Sequence, residues 1–281
     1  MRKVPKRTLP SALPARLRRS RTLRLVDSHG HVQAAAFERD RESILQQSRA
    51  AGLVRLLAPG WDLESSRQSV HLARGHDWID ASAGIHPHVA GTADESAWRA
   101  VQALARDPVA VAVGETGLDY DRGFSPRDAQ LANLRRHLRL AVDLDRPVVL
   151  HCRSRPRERE AQDDLLREIR DVPGVRPLIH SFSGPVDYAE QMLESGAWIS
   201  FSGLVFRAGE EPSGAVAALV PADRLLVETD APYLSPPGAP RRRNEPRYVE
   251  ITLRWLAERR GEDVEALSER VAANYDALFR G

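Results

Sequence analysis

The fold this sequence predicts is an α/β protein built as a single (β/α)8 TIM barrel, and three observations predict it. Short apolar runs alternate with longer amphipathic stretches along the chain from residue 23 onward, the pattern of a parallel sheet joined by crossover helices. Eight such runs are each followed by a helical stretch, and a chain of 281 residues has the length that such a barrel needs. Six of the nine histidines lie at the ends of these runs. The competing arrangement is a doubly wound open sheet. That fold usually has fewer strands and a Gly-rich phosphate turn after the first one, and Asp27–His31 offers no such turn.

The expected strands are Leu23–Asp27, Leu53–Ala58, Ile79–Gly84, Val109–Gly114, Pro147–His151, Val175–His180, Trp198–Phe201 and Leu225–Thr229. Between them lie helical stretches at Arg41–Ala51, Leu63–Gly75, Asp94–Asp107, Pro126–Leu144, Ala161–Asp171, Val186–Ser195 and Gly214–Val220. Pro246–Arg260 and Val264–Phe279 follow the eighth strand. Asp94, Ser125-Pro126 and Gly184-Pro185 supply start signals, and Gly75 and Gly196 supply stops. The chain is poor in linkers, so residues 23–281 read as one domain preceded by an extension, residues 1–22.

The net charge of +2 hides an asymmetry. Residues 1–24 carry nine basic side chains and no acid, which leaves 32 basic against 39 acidic in the remainder, a charge of about −7. The body is therefore not a broad cationic surface of the kind that grips duplex DNA nonspecifically. The Arg-rich extension reads as flexible. Arg18-Arg19 is not followed by the apolar segment of an export signal, so the expected location is cytoplasmic. No apolar run is long enough to span a bilayer, and no obligate protein partner is evident. The single cysteine, Cys152, excludes an internal disulfide framework and reads as a small buried residue.

The strand ends carry the chemistry. In a barrel of this type catalytic groups sit at the C-terminal ends of the strands. In Asp27-Ser28-His29-Gly30-His31 the alternation of an extended strand puts His29 and His31 on one face, with Asp27 on the same side to support them. Taken alone, this is equally a strand end with two solvated histidines. Glu115, His151, His180 and Asp230 end later strands, so with His29 and His31 the set offers four imidazoles and two carboxylates. Such a mixture suits a pair of divalent ions, Zn²⁺, Mn²⁺ or Mg²⁺. Glu115 is the expected bridge, since each carboxylate oxygen has spare lone pairs. His71, His76 and His137 lie in helical stretches and read as surface or packing residues.

The motifs DSHGH, GIHPH, GETGLDY, VVLHCR, HSFSG, ETDAPYLSP and RRNEP, in this order over roughly residues 25–280, closely resemble the TatD family of metal-dependent hydrolases in the amidohydrolase superfamily. The resemblance implies a TIM-barrel nuclease, in the best-known members a 3′→5′ exonuclease on DNA and sometimes RNA. By motif match, His29, His31, Glu115 and Asp230 would hold one metal, and Glu115, His151 and His180 the other. Ser181 stands where many members have Cys, and Arg155–Glu160 is unusually charged. The basic extension is not part of the family pattern.

Asp230 is then the expected general base, taking the proton of the attacking water, with Glu115 as its catalytic partner. His86 is expected as a phosphate contact, with His88 divided between that role and loop support. Arg153, on the same face as His151, would clamp a phosphate or pair with an acid. Arg243 and Asn244 match the family's motif and are expected to grip the strand end. Asp119 would fix the Glu115 loop, Tyr120 would stack on a base, and Glu228 would orient a neighbour. The expected substrate is the 3′ end of single-stranded DNA or RNA, cleaved with two divalent metal ions. The alternative is a D-aminoacyl-tRNA deacylase, or another ester or amide hydrolase, using the same centre.

Overall fold

The computed structural model describes residues 23–281, so the expectation that residues 1–22 form a flexible extension lies outside the described residues. Eight parallel strands run in sequence order around the sheet: β1 (Leu25–Asp27), β2 (Leu53–Pro59), β3 (Ile79–Ala83), β4 (Ala110–Asp119), β5 (Val148–Arg153), β6 (Pro177–Ile179), β7 (Trp198–Phe201) and β8 (Leu225–Val227). The helices are α1 (Arg41–Ala50), α2 (Leu63–Gly75), α3 (Glu95–Leu104), α4 (Arg127–Asp143), α5 (Glu160–Arg170), α6 (Val186–Glu194), α7 (Ser213–Leu219), α8 (Val249–Arg260) and α9 (Val264–Phe279). One continuous apolar core joins strands to helices. This is a nearly closed (β/α)8 barrel.

Two elements differ from expectation. β4 runs on through Asp119, where the sequence pattern places a loop from Glu115 onward. The cause is a bulge: Val113 pairs with Val148 and Thr116 with Leu150, so one extra β4 residue is accommodated between them. Gly117 makes the continuation feasible, because at its φ of +136° a Cβ would lie 2.0 Å from the His151 carbonyl oxygen. The second difference is at Pro246, where a 3-10 turn (Pro246–Tyr248) precedes α8.

The seam between β8 and β1 is closed by hydrogen bonds beyond the regular ladders. The Ser28 N–H donates to the Val227 carbonyl at 3.0 Å, Asp230 N–H to His29 at 2.8 Å, and His31 N–H to Ala231 at 2.7 Å. The Asp27 carboxyl staples the two strands. It accepts from the Thr229 N–H (2.9 Å), the Thr229 hydroxyl (2.5 Å) and the His29 N–H (3.2 Å). Asp27 therefore supports the backbone of the seam rather than the imidazoles of His29 and His31, because its partner Thr229 comes from the strand that follows it round the barrel. Burial pushes its carboxyl up to about 8, against the lowering effect of those bonds.

Below the seam, α9 ties both strands together. Asn274 donates to the Leu225 carbonyl (2.8 Å) and Ser268 to that of Arg24 (2.8 Å). The Tyr275 hydroxyl and Arg280 both reach Asp80 on β3, at 2.9 and 2.7 Å. Among the described residues no helix is long and apolar enough to cross a membrane. We expect Thr229→Val, which removes the hydroxyl that reaches Asp27 in a fully buried setting, to cost about 1–3 kcal/mol of stability. A lower urea midpoint with unchanged slope is the readout.

Candidate metal centre

Glu115 lies at the middle of the barrel mouth because the β4 bulge turns it inward, where its N–H also donates to the Gly60 carbonyl at 2.7 Å. Its two oxygens face two separate groups of ligand atoms. Oε2 lies 3.3 Å from His29 Nε2 and 3.7 Å from His31 Nε2. Asp230 Oδ1 completes that group, 3.3 Å from His31 Nε2 and 3.8 Å from His29 Nε2, and the two imidazole nitrogens are 3.2 Å apart. Oε1 lies 3.0 Å from His180 Nε2, 3.3 Å from His151 Nδ1 and 3.2 Å from His86 Nε2. His151 Nδ1 and His180 Nε2 are 3.2 Å apart.

Those separations have a physical meaning. Four ligands at Zn–N and Zn–O bond lengths in a tetrahedron stand about 3.4 Å from one another, which is the spacing of both groups. His29 Nδ1 and His31 Nδ1 are buried with no hydrogen-bond partner among the described residues. With that side unpartnered, both rings aim their Nε2 atoms at the carboxylates. These His and carboxylate clusters are suited to hold metal.

Charge balance at Glu115 is unusual for a buried carboxylate. Burial opposes its ionisation, but the imidazoles of His86, His180 and His29 outweigh burial and hold the carboxyl well below its usual range. His180 shows the reciprocal effect. Burial disfavours its charge, yet Glu115 and then Glu228 raise it well above the ordinary imidazole value.

A further ring of groups holds the ligands in place. Glu228 accepts from the Ser181 N–H (2.8 Å), the Ser181 hydroxyl (2.7 Å) and His180 Nδ1 (3.2 Å). The Ser181 hydroxyl thus has a bonding role, to Glu228 and to Ser202. Asp119 lies between His88 Nε2 (2.7 Å) and His151 Nε2 (3.3 Å), and also takes the N–H groups of Asp121 and Arg122. Orientation of ligating imidazoles by such partners governs their basicity and direction. Behind the His86 loop, buried His137 accepts the Ile85 N–H at 3.1 Å, and Asn133 donates to the Ile85 carbonyl at 2.6 Å.

Several expectations from sequence are revised by these positions. His86 was expected beside the centre as a phosphate contact, but its Nε2 points into the Glu115 Oε1 group. Arg243 is spent on Asp40, bidentately at 2.8 and 2.7 Å, and stacks on Phe37. Asn244 is fully buried and donates to the Thr229 carbonyl at 2.9 Å. Both brace the loop after β8 instead of facing a strand end. Tyr120 is buried, with its hydroxyl on Asp164 at 2.7 Å and Arg127 over its ring, so it has no free face for a base. Arg153 pairs with Asp121 at 2.8 Å while staying half-exposed. Burial pushes the Cys152 thiol up to about 12, so it is no nucleophile. Three aromatic rings near the centre escaped the sequence reading. Trp61 and Tyr233 stand 5.0 and 6.0 Å from the His31 ring, and Phe124 stands 4.8 Å from that of His88.

Comparison with known proteins gives the lineage. The family described as TatD related DNase matches residues 26–280. The chain belongs to this family. Among its relatives, the "3'-5' ssDNA/RNA exonuclease TatD" of Erwinia amylovora is 35% identical over 258 residues, covering 89% of this chain and 97% of that protein. The protein of the same description from Cronobacter sakazakii is 39% identical over 257 residues, covering 89% and 95%. A crystal structure of YJJV, a TatD homologue from Escherichia coli, superposes with a TM-score of 0.82 at 28% identity, covering 93% of this chain and all of the other. As a TatD-family protein, the chain carries the metal-dependent hydrolase fold and is an enzyme acting on ester bonds.

The buried support behind the TatD-type centre makes stability depend on pH. Burial holds the His137 imidazole down to about 3, below its value in the unfolded chain. A base depressed in this way contributes most above its unfolded pKa of about 6.5, and the contribution falls by about 1.4 kcal/mol per unit as pH drops from there toward 3. In His137→Gln, whose amide oxygen can accept the Ile85 N–H, urea midpoints at neutral and at mildly acid pH are expected to differ less than in the wild type.

Proposed function

We propose that this chain removes nucleotides from the 3′ end of single-stranded DNA or RNA by hydrolysing the terminal phosphodiester, with two divalent ions, Mg²⁺, Mn²⁺ or Zn²⁺. The observation that carries the reading is the division of Glu115: one oxygen belongs to the His29, His31 and Asp230 group, the other to the His86, His151 and His180 group. A shared carboxylate between two such groups is what a two-ion hydrolytic centre needs. Relatives at 35 and 39% identity, described as 3′–5′ single-strand exonucleases, support the choice of substrate.

Metal ions, when bound, supply positive charge that polarises the phosphodiester and acidifies water. The residues supply the rest. Glu115 and the imidazoles provide the ligand sets, with His86 as an added nitrogen on the Oε1 side. Of the two carboxylates Asp230 is the one with access to solvent, its side chain 14% exposed against 3% for Glu115. A carboxylate there is placed to take a proton from water at its Oδ atoms. Glu228 and Asp119 hold His180 and His151 in the direction the centre requires. The ligand set is complete within one chain, so the reading invokes no obligate protein partner; a cytoplasmic setting belongs to the same reading.

The test is degradation of 5′-labelled single strands by purified protein with known metal content. Progressive shortening from the 3′ end, lost on chelation and restored by divalent metal, is the expected result. Hydrolysis of D-aminoacyl-tRNA without release of nucleotides would instead assign the centre to ester cleavage. Asp230→Asn is expected to lower kcat by about 10²–10⁴. Near-normal turnover by this variant with metal bound would remove Asp230 from the role of base.

A further inference from the structure

Among the described residues three large apolar side chains stand exposed: Phe124 at 67%, Tyr233 at 59% and Val142 at 37%. Val142 lies near the far end of α4. The other two rise from the barrel mouth, Phe124 from the loop between β4 and α4 and Tyr233 from the segment after β8. In an eight-stranded barrel ordered β1 to β8, β4 and β8 are diametrically opposed. The two exposed rings therefore flank the Glu115 centre from opposite sides. Tyr233 stands 6.0 Å from the His31 ring, and Phe124 stands 4.8 Å from that of His88, which Asp119 links to His151.

Leaving an aromatic ring in water is unfavourable by its buried-area equivalent, and the fold has covered most other rings in the chain. Trp61, Trp78, Trp98, Tyr120 and Tyr188 are buried or partly buried. Charge adds a second, independent observation. Arg122, Arg157, Arg207, Arg241 and Arg242 are exposed in the loops after β4, β5, β7 and β8. Among the described residues none of the five is ion-paired, unlike Arg153 with Asp121 and Arg243 with Asp40. On a body whose charge is about −7, the loops at the mouth carry five exposed guanidinium groups outside any ion pair. Cationic groups that follow a backbone, combined with aromatic faces that stack on bases, make up the general apparatus for single strands.

We infer that Phe124 and Tyr233 are two base-stacking platforms on opposite sides of the centre, which hold an unpaired strand across it while the arginine rim takes its phosphates. The inference rests on the proposed nuclease reading and deepens it. Stacking on a ring face requires a base free of its partner, so the platforms select single strands over duplexes. Every base has a face to stack, so they impose little sequence preference. DNA and RNA are both accommodated, since neither ring reads the sugar.

The test compares affinities for two short strands of equal length with cleavage-resistant phosphorothioate linkages, one with all its bases and one abasic. Fluorescence anisotropy with the metal-loaded protein gives Kd for each. The wild type is expected to bind the strand with bases more tightly than the abasic strand. Phe124→Ala and Tyr233→Ala should each raise Kd for the strand with bases by roughly fivefold to a hundredfold and leave Kd for the abasic strand in place. Phe124→Trp and Tyr233→Phe should restore the wild-type value. Equal weakening toward both strands, no change in either variant, or no preference by the wild type would overturn the platforms. Failure of the nuclease reading is recognised separately: the wild type would then bind these strands but shorten no ordinary one, and the two Kd comparisons would still decide the platforms.

Discussion

A carboxylate placed in the middle of a barrel mouth and shielded from water must be surrounded by positive charge, and the rest of the centre follows from that demand. The nitrogens of His29, His86, His151 and His180 all lie within 3.3 Å of its oxygens. They reach it from β5 and the segments after β1, β3 and β6, so no single stretch of chain could provide this environment. The β4 bulge is the local price of the arrangement, since it turns Glu115 toward the axis. The barrel gathers the imidazoles; Glu115 gives them a common point.

The outer partners show how the fold keeps these side chains from collapsing onto one another. Glu228 binds His180 and Ser181 together, Asp119 steadies His151 and His88, and His137 with Asn133 fixes the backbone at Ile85 next to His86. Each support is buried and uses a hydrogen bond rather than a surface ion pair, so solvent and salt screen it little. The arginines at the rim have the opposite character. They are exposed, while Glu115 and most of the imidazoles around it are buried.

Much of this was legible in the sequence because barrel alternation is local. The apolar runs give strand order directly, and the strand ends give His29, His31, Glu115, His151, His180 and Asp230. What was not legible depends on partners distant in sequence. Nothing near Arg243 announces Asp40, nothing near Asn244 announces the Thr229 carbonyl, and Tyr120 meets Asp164 only after α5 has packed beside α4. His86 looked remote because its strand is two removed from β1; the bulge brings Glu115 Oε1 to it. Phe124 and Tyr233 are ordinary aromatic letters until exposure distinguishes them, and exposure belongs to the tertiary structure.

The seam that joins β8 to β1 also sets the order in which the centre can be completed along the chain. His29 and His31 leave the ribosome among the earliest residues of the barrel, and Asp230 some 200 residues later, yet the three meet directly through the Asp230–His29 and His31–Ala231 backbone bonds. α9, which ties β8 and β1 together from below, emerges last of all. A chain that stops short of Asp230 therefore lacks one side of the Glu115 centre. Chain closure is thus the step that brings the first and last side chains of the centre together.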